Sequence, residues 1–246
     1  IQSAATPESI TGFWTGYRRA SAFSSVNYDY KKKYLVTVTA RYDGSSRFGT
    51  NNQYGLFPSV RVGWSLVEEE FLKNSSSVSE MKLRASYGLT GNDQIGNFDA
   101  RGLYGGGGNY SGSAGIVPSS LANLGLSWET NNTLNLGIDY GFFENRITGS
   151  IDAFDRRTKD LLLSQPILWI NGFSGISNNV GELQNRGLEF ELSTVNIDKG
   201  GFRWNSSFNI TKIDNQIVSL YSGLKFLPAN PGIAVGQPVG RSGEGA

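Results

Sequence analysis

Apolar residues recur at every second position over several stretches of this chain, most clearly in residues 132–157. The pattern stops at Glu144 and Asn145 and then restarts, so the stretch has two arms. The apolar or small positions of the two arms are Leu134, Leu136, Ile138, Tyr140, Phe142, Ile147, Gly149, Ile151 and Ala153. A β-strand turns successive side chains to opposite faces, so this stretch is predicted to be a hairpin with one apolar and one polar face.

The same alternation predicts six further strands, which with the hairpin make a meander of about eight. These strands are residues 21–30, 34–43, 56–66, 81–90, 187–196 and 202–212. Residues 91–131, residues 158–186 and the chain from residue 214 show no clear alternation and are predicted to be irregular. Short connections alternate with longer ones, as in outer-membrane barrels, where short turns lie at one end and long loops at the other. The sequence therefore predicts an all-β antiparallel meander that is part of a transmembrane β-barrel.

Aromatic residues cluster beside the short connections, which suits a girdle at a membrane interface. They are Tyr28, Tyr30, Tyr34, Phe142, Phe143, Phe202 and Trp204. The general preference of aromatic residues for strands is the alternative explanation of this placement.

Composition removes several classes of function. The 246 residues contain 22 Lys and Arg against 21 Asp and Glu, so net charge gives no argument for nucleic-acid binding. The sequence has no Cys and no His, which excludes disulfides and thiol chemistry and removes the commonest general base and metal ligand. It has no apolar run of about 20 residues, so no transmembrane helix is predicted, whereas a barrel strand needs only about 9–11 residues.

Motifs that suggest catalysis or cofactor binding are weak. The glycines at residues 105–108 lack the Lys and Ser or Thr of a phosphate loop and predict a flexible loop. Asp152 and Asp155 are three positions apart on a strand, so they point to opposite faces and cannot form a glycosidase pair. The acidic and amide residues Asn92, Asp93, Asn97 and Asp99 miss the calcium-loop spacing. We therefore predict no catalytic residue, cofactor or metal, and a protein that is not an enzyme.

Seven residues are candidates for facing a transported solute. Trp128 and Trp169 lie in or beside long loops, where they could stack on sugar rings or peptide groups, or simply pack the loops. The other five lie on the polar face of predicted strands, where they could line a solute path or pair with one another and with a plug. They are Arg41, Arg61, Arg84, Asn135 and Asp139.

Several short motifs together resemble the SusC/RagA family of TonB-linked outer-membrane transporters. They are RYDGSSRFG (residues 41–49), PSVRVGW (58–64), LRASYGLTGN (83–92), WET (128–130), KDLLL (159–163) and GELQNRGLE (181–189). They follow one another in the family's order, at similar spacing, over roughly residues 20–220.

The resemblance implies that residues 1–246 are one segment from the later part of a 22-stranded barrel, without its plug, TonB box and terminal strands. It implies import of oligosaccharides or peptides across the outer membrane of a Gram-negative bacterium, powered through TonB. The implied partners are a SusD-like surface lipoprotein, TonB and outer-membrane lipid, with no nucleic acid. The matched motifs fix no substrate-contacting residue. By itself such a segment is not expected to close or to transport.

Two other classes of protein fit parts of the pattern. The first is a passive porin or an adhesin barrel, which more strands and no plug upstream of the segment would favour. The second is a soluble β-rich domain that binds or hydrolyses carbohydrate. A soluble domain would bury the Leu, Ile and Val rows between two stacked sheets.

Overall fold

The computed structural model describes residue 12 and residues 14–221, 226–227 and 230–234. Its strands are β1 (Arg19–Tyr30), β2 (Tyr34–Ser45), β3 (Tyr54–Ser65), β4 (Val78–Asn92), β5 (Tyr104–Tyr110), β6 (Ser113–Pro118), β7 (Glu129–Phe142), β8 (Ile147–Lys159), β9 (Leu162–Pro166), β10 (Gly175–Asn179), β11 (Glu182–Lys199), β12 (Phe202–Ser219), β13 (Phe226–Leu227) and β14 (Asn230–Ala234). Eight of them form one antiparallel sheet in the order β1-β2-β3-β4-β7-β8-β11-β12. The predicted meander of eight strands is confirmed.

The long connections are more ordered than the sequence predicted. β5 pairs with β6 inside residues 91–131, and β9 pairs with β10 inside residues 158–186. The prediction of an irregular chain was wrong there, including at the glycines of residues 105–108, because glycine has no side chain that could reveal alternation. It was also wrong from residue 214, since β12 continues to Ser219 and the polar run Asp214, Asn215 and Gln216 interrupts the alternation. Short 3₁₀ turns lie at Leu66–Glu68 and Trp169–Asn171.

Within the described ranges, no helix has the length and apolar character needed to cross a membrane.

The short turns of the sheet are tight and have left-handed backbone conformations. Lys31 and Lys32 between β1 and β2 have φ of 54° and 57°, and Gly200 and Gly201 between β11 and β12 have φ of 62° and 80°. A positive φ at both central residues matches the right-handed twist of the flanking strands, so this geometry recurs in two-residue hairpin loops. The turn between β7 and β8 also has positive φ, at residues 143–145.

The two faces of the sheet have the chemistry that the alternation predicted. We call the side that bears Leu136 the apolar face and the side that bears Asn135 the polar face. Side chains of the apolar face remain accessible: Leu136 is 50% exposed and Ile210 57%. No second sheet covers this face in the part of the chain that the structure describes. That arrangement contradicts a soluble sandwich, which would bury the same rows.

One row of paired residues on the apolar face crosses all eight strands of the sheet and is inclined to the line of the short turns. The row is Tyr30, Tyr34, Trp64, Leu83, Ile138, Ile151, Phe190 and Ile210, each paired with the next across a strand boundary. On β1 the row lies at Tyr30, directly beside a short turn. On β12 it lies eight residues from Phe202 and its turn, about 26 Å away at roughly 3.3 Å per residue. The strands are therefore inclined to a plane through the short turns, as barrel strands are.

Aromatic side chains line the edge of the apolar face at the short turns. Tyr30 stacks on Tyr34 and Tyr34 on Trp64, with ring centroids 6.4 Å and 6.3 Å apart. Phe202 and Trp204, beside the short turn on the last strand of the sheet, β12, remain 61% and 54% exposed. The rings therefore lie along one boundary of the exposed apolar band.

Tyr140 connects three strands on the apolar face. It pairs with Gly149 of β8, and its hydroxyl donates a hydrogen bond of 3.1 Å to the carbonyl oxygen of Glu191 on β11. A Cβ atom at Gly149 would lie 2.1 Å from that carbonyl oxygen and 2.5 Å from the Tyr140 hydroxyl. Glycine at this position is therefore what allows the phenol to cross β8.

Candidate functional site

The polar face contains a recess of about 770 Å³ at the end of the sheet that bears the long connections. Residues of the polar face of β1 to β4 and β7 form its wall, and residues of the long connections border its outer end. The pairing pattern explains the cavity. One row across its floor is Thr39, Ser59, Gly88 and Thr133, and these residues are all small. Small side chains between larger ones leave the depression.

Two of the predicted arginines flank this floor. Arg41 is paired with Phe57, and Arg61 is paired with Thr37, so they lie on opposite sides of the row of small residues. Both are exposed and line the recess. The Nε of Arg41 lies 2.8 Å and 2.7 Å from the two carboxylate oxygens of Asp43. Arg61 has no ion pair with any residue that the structure describes.

The other three polar-face candidates form the wall beyond the recess. Arg84 donates to both oxygens of Asp139, at 2.8 Å and 2.7 Å, and its Nη2 also donates to Asp152 at 3.1 Å. Asn135 is paired with Ser86, next to Arg61 in the same row. The guanidinium of Arg84 thus binds two carboxylates, so these polar-face residues pair with one another. Asp155 lies on the opposite face, as its spacing from Asp152 predicted.

An aromatic cluster closes the outer end of the recess. Trp128 packs against Phe48 and Phe57, with ring centroids 5.2 Å and 5.4 Å away, and Ala100 and Leu126 complete the buried cluster. The Trp128 indole N–H donates to the carbonyl oxygen of Gln53 at 3.1 Å. Trp128 is only 9% exposed, so it packs the loops and offers no free ring face on which a solute could stack.

A buried carboxylate fastens the connections over the recess. Asp93 is 2% exposed, accepts a hydrogen bond of 2.6 Å from Ser45 Oγ and one of 2.9 Å from Arg19 Nε, and forms an ion pair with Arg19. Arg47 donates to the Asp93 carbonyl oxygen and to Asn97 Oδ1, each at 3.0 Å. We call these five residues the lid clamp, and the connection between β4 and β7 that they hold, residues 93–128, the lid. It joins the start of β1 to the connections after β2 and β4.

The sequence did not predict the lid clamp, although three of its five residues belong to or adjoin two of the motifs. Ser45 and Arg47 lie in RYDGSSRFG, and Asp93 directly follows LRASYGLTGN. The group Asn92, Asp93, Asn97 and Asp99 misses the spacing of a calcium loop, and in the structure the Asp93 carboxylate is bound by Arg19. Among the described residues, no group of three or more His, Cys, Asp or Glu is placed to hold a metal ion.

Trp169 lies away from the recess, at the tip of the β9–β10 hairpin. It is 75% exposed, and its neighbours Leu168 and Ile170 are 75% and 87% exposed. We call these three residues the apolar tip. Three consecutive large apolar side chains in solvent mark a contact surface more readily than they mark a packed loop.

The polar recess, the clamped lid and the exposed apolar band occur together in a chain with clear relatives. Residues 2–241 match the model of the family described as TonB dependent receptor-like, beta-barrel. The chain is 40% identical over 206 residues to TonB-dependent receptor P39 of Formosa agariphila, covering 84% of this chain and 20% of that protein. It is 39% identical over 221 residues to TonB-dependent receptor SusC of Bacteroides thetaiotaomicron, covering 87% of this chain and 22% of that protein.

Solved structures agree with the sequence matches. The structure of the RagAB peptide transporter superposes with a TM-score of 0.83 at 32% identity, covering 90% of this chain and 25% of that one. A closed state of the RagAB peptide importer gives 0.84 at the same identity and coverage. The chain therefore spans about a fifth to a quarter of the length of the proteins it matches.

Proposed function

We propose, from the premise that this chain belongs to the TonB-dependent receptor-like β-barrel family and to its SusC/RagA branch, that it is a wall segment of an active importer. The whole protein would lie in the outer membrane of a Gram-negative bacterium and take up oligosaccharides or peptides without chemical conversion. TonB would supply the energy, through parts of the protein outside this segment. The apolar face would contact lipid, and the polar face would line the closed, 22-stranded barrel.

The observation that supports this proposal best is the distribution of the two faces. An exposed apolar band bounded by aromatic rings lies on one side, and a polar recess under clamped connections lies on the other. A bilayer and a hydrated lumen are the two environments that such a sheet requires. On this reading Arg41, Arg61 and the exposed part of Trp128 border the path of the solute. Arg84, Asn135 and Asp139 line the wall further from the lid.

A protein partner on the side of the long connections is supported by the apolar tip. Leu168, Trp169 and Ile170 project beyond the sheet, on a hairpin that contributes little to the recess wall. Exposed apolar side chains of this size are stabilised when a partner covers them. We therefore assign Trp169 to contact with a SusD-like surface lipoprotein, although the sequence alone suggested a solute.

Uptake by cells tests the proposal. Cells that express the full-length protein and its lipoprotein should accumulate radiolabelled oligosaccharides or peptides that are too large for passive pores. Accumulation should stop when TonB is deleted or when the proton gradient is collapsed. Entry that continues without TonB and follows the concentration gradient would instead identify a passive pore.

A further inference from the structure

The charges in the recess do not balance. Three arginines and two carboxylates line it: Arg19, Arg41, Arg61, Asp43 and Asp93. Arg19 and Asp93 neutralise each other in the lid clamp. Arg41 forms an ion pair with Asp43, so Arg61 is the cation that has no carboxylate partner among the described residues. The recess therefore has one positive charge in excess.

The guanidinium of Arg41 also keeps free donors. Its Nε binds Asp43, and its two Nη atoms make no hydrogen bond within the described part of the chain. Arginine presents five N–H donors in a rigid fork, so a guanidinium held by one edge can still bind a second carboxylate. Hydroxyl groups of Thr39 and Ser59 lie between the two arginines on the same floor.

We propose that this recess selects cargo that bears carboxylate groups, with Arg61 as the residue that determines the selection. The inference rests on the proposed import function and names the chemical class of its substrate. Arg41 and Arg61 are four pair positions apart, about 13 Å along the strands at roughly 3.3 Å per residue. That separation matches an oligomer with repeated acidic groups, either an acidic peptide or a glycan that contains uronic acid. The floor of small hydroxyl side chains leaves room for its backbone or rings.

The wall around Arg84 shows why the selection depends on the recess. There the guanidinium of Arg84 is held by the carboxylates of Asp139 and Asp152, and Lys82 lies opposite Asp139 in the strand pairing, so no cation is left in excess. An acidic oligomer would be attracted to the recess more than to that wall, since opposite charges interact favourably over several ångströms in a partly desolvated site.

Binding to the purified full-length protein with its lipoprotein tests this proposal. The probes are two matched pairs: radiolabelled tri-aspartate with tri-asparagine, and a uronic acid trisaccharide with its carboxyl-reduced analogue. Wild-type protein should bind the acidic member of at least one pair more tightly, and the pair that responds identifies the source of the carboxylate. Arg61→Gln should weaken that binding by roughly tenfold, the effect of one lost charge-assisted hydrogen bond. Binding of the neutral member should not change.

Two further variants make the result specific. Arg61→Lys keeps the charge and should restore a part of the preference, whereas Lys212→Gln removes one positive charge from the apolar face of β12 and should have no effect. Equal affinity of Arg61→Gln and wild type for the acidic probes would overturn the inference. The import proposal itself would fail in a different way, namely by the absence of TonB-dependent uptake of any oligomer, acidic or neutral.

Discussion

Asp93 shows how one side chain can organise the connections above the sheet. A carboxylate that is 2% exposed would be costly without partners, and here Ser45 and Arg19 supply them. The partners come from β1 and from the end of β2, so the contact joins chain segments that are far apart in sequence. Arg19 stays half exposed, which limits the contribution of the ion pair because water screens it.

Replacement of Asp93 by Asn should loosen the lid and leave the sheet intact. The variant loses the charge that holds Arg19, and we expect a cost of about 1–3 kcal/mol. Limited proteolysis of the full-length protein should show faster cleavage within residues 94–127. Asp160→Asn is the matched control, since Asp160 is exposed with φ of 56°, a conformation that Asn tolerates. Equal cleavage of both variants would contradict the clamp.

Glu69 fastens the opposite end of the sheet. Its carboxylate accepts hydrogen bonds from Trp64 Nε1 and Lys33 Nζ, each at 3.0 Å, and from the Tyr34 hydroxyl at 3.2 Å. The hydrogen bond from Trp64, followed by that from Lys33, lowers the pKa of Glu69 below its usual 4.5. The hydrogen bond to Glu69 raises the pKa of Lys33 above its usual 10.5. The contact between the two turns is therefore fully charged at neutral pH.

The contribution of Glu69 should depend on pH in a defined direction. Its lowered pKa stabilises the folded state above pH 4.5, and this is lost as the pH falls through the lower folded value. The raised pKa of Lys33 stabilises below pH 10.5, and this is lost as the pH rises through the higher folded value. Thermal unfolding of the full-length protein and of Glu69→Gln should therefore differ most near neutrality and converge in acid. A difference that persists unchanged in strong acid would argue against this assignment.

At the scale of the strands, the alternation of side chains was sufficient to predict the architecture. Each strand of the main sheet has one mainly apolar face, so its period of two appears directly in the sequence. The hairpins β5–β6 and β9–β10 gave no such signal, because they lie outside the apolar band and one is rich in glycine. The lid clamp could not be predicted either. Its contacts join Arg19, Ser45 and Asp93 through the fold, and no local pattern reports such a meeting.

The assignment of the two faces of β7 predicts opposite outcomes for neighbouring positions. Leu136→Arg would place a charge in the lipid layer, at a cost of roughly 2–4 kcal/mol near mid-depth. Asn135→Arg would place the same side chain on the polar face, beside Ser86. We therefore expect Leu136→Arg to impair outer-membrane insertion of the full-length protein far more. Equal insertion of the two variants would mean that the faces are assigned incorrectly.

The bridge made by Tyr140 can be tested in two steps. Tyr140→Phe removes only the hydrogen bond to the Glu191 carbonyl oxygen, with an expected cost of about 1 kcal/mol. Gly149→Ala should cost more, since its Cβ atom would also displace the ring and press on the backbone of β11. The order of unfolding midpoints in detergent should be wild type, Tyr140→Phe, then Gly149→Ala. A Gly149→Ala variant as stable as wild type would show that the hydrogen bond from Tyr140 to Glu191 does not require glycine at position 149.

At the scale of the whole molecule, the sheet is open. Among the described strands of the main sheet, β1 and β12 have a neighbour on one side only. Unpaired backbone groups at these edges cannot be satisfied in hydrocarbon, because each exposed N–H or C=O there costs several kcal/mol. The segment therefore needs further strands before it can cross a bilayer stably.

Residues 1–246 expressed alone should accordingly fail to insert into liposomes. Folded barrels migrate faster than unfolded ones on gels when they are not heated, so an unheated sample of the segment should show no such shift. The full-length protein, prepared in the same way, is the control that should show it. A heat-sensitive, protease-resistant form of the isolated segment would indicate closure by self-association.

The inclined row of paired residues from Tyr30 to Ile210 has a consequence for any probe of depth in the bilayer. If the apolar face contacts lipid as proposed, the residues of this row lie at different depths in the bilayer although each is paired with the next. A nitroxide moved stepwise from Tyr30 through Leu83 to Ile210 should report a graded change in quenching by oxygen and by a water-soluble nickel complex. The depth of a residue in the bilayer would therefore depend on which strand carries it as much as on its position along that strand.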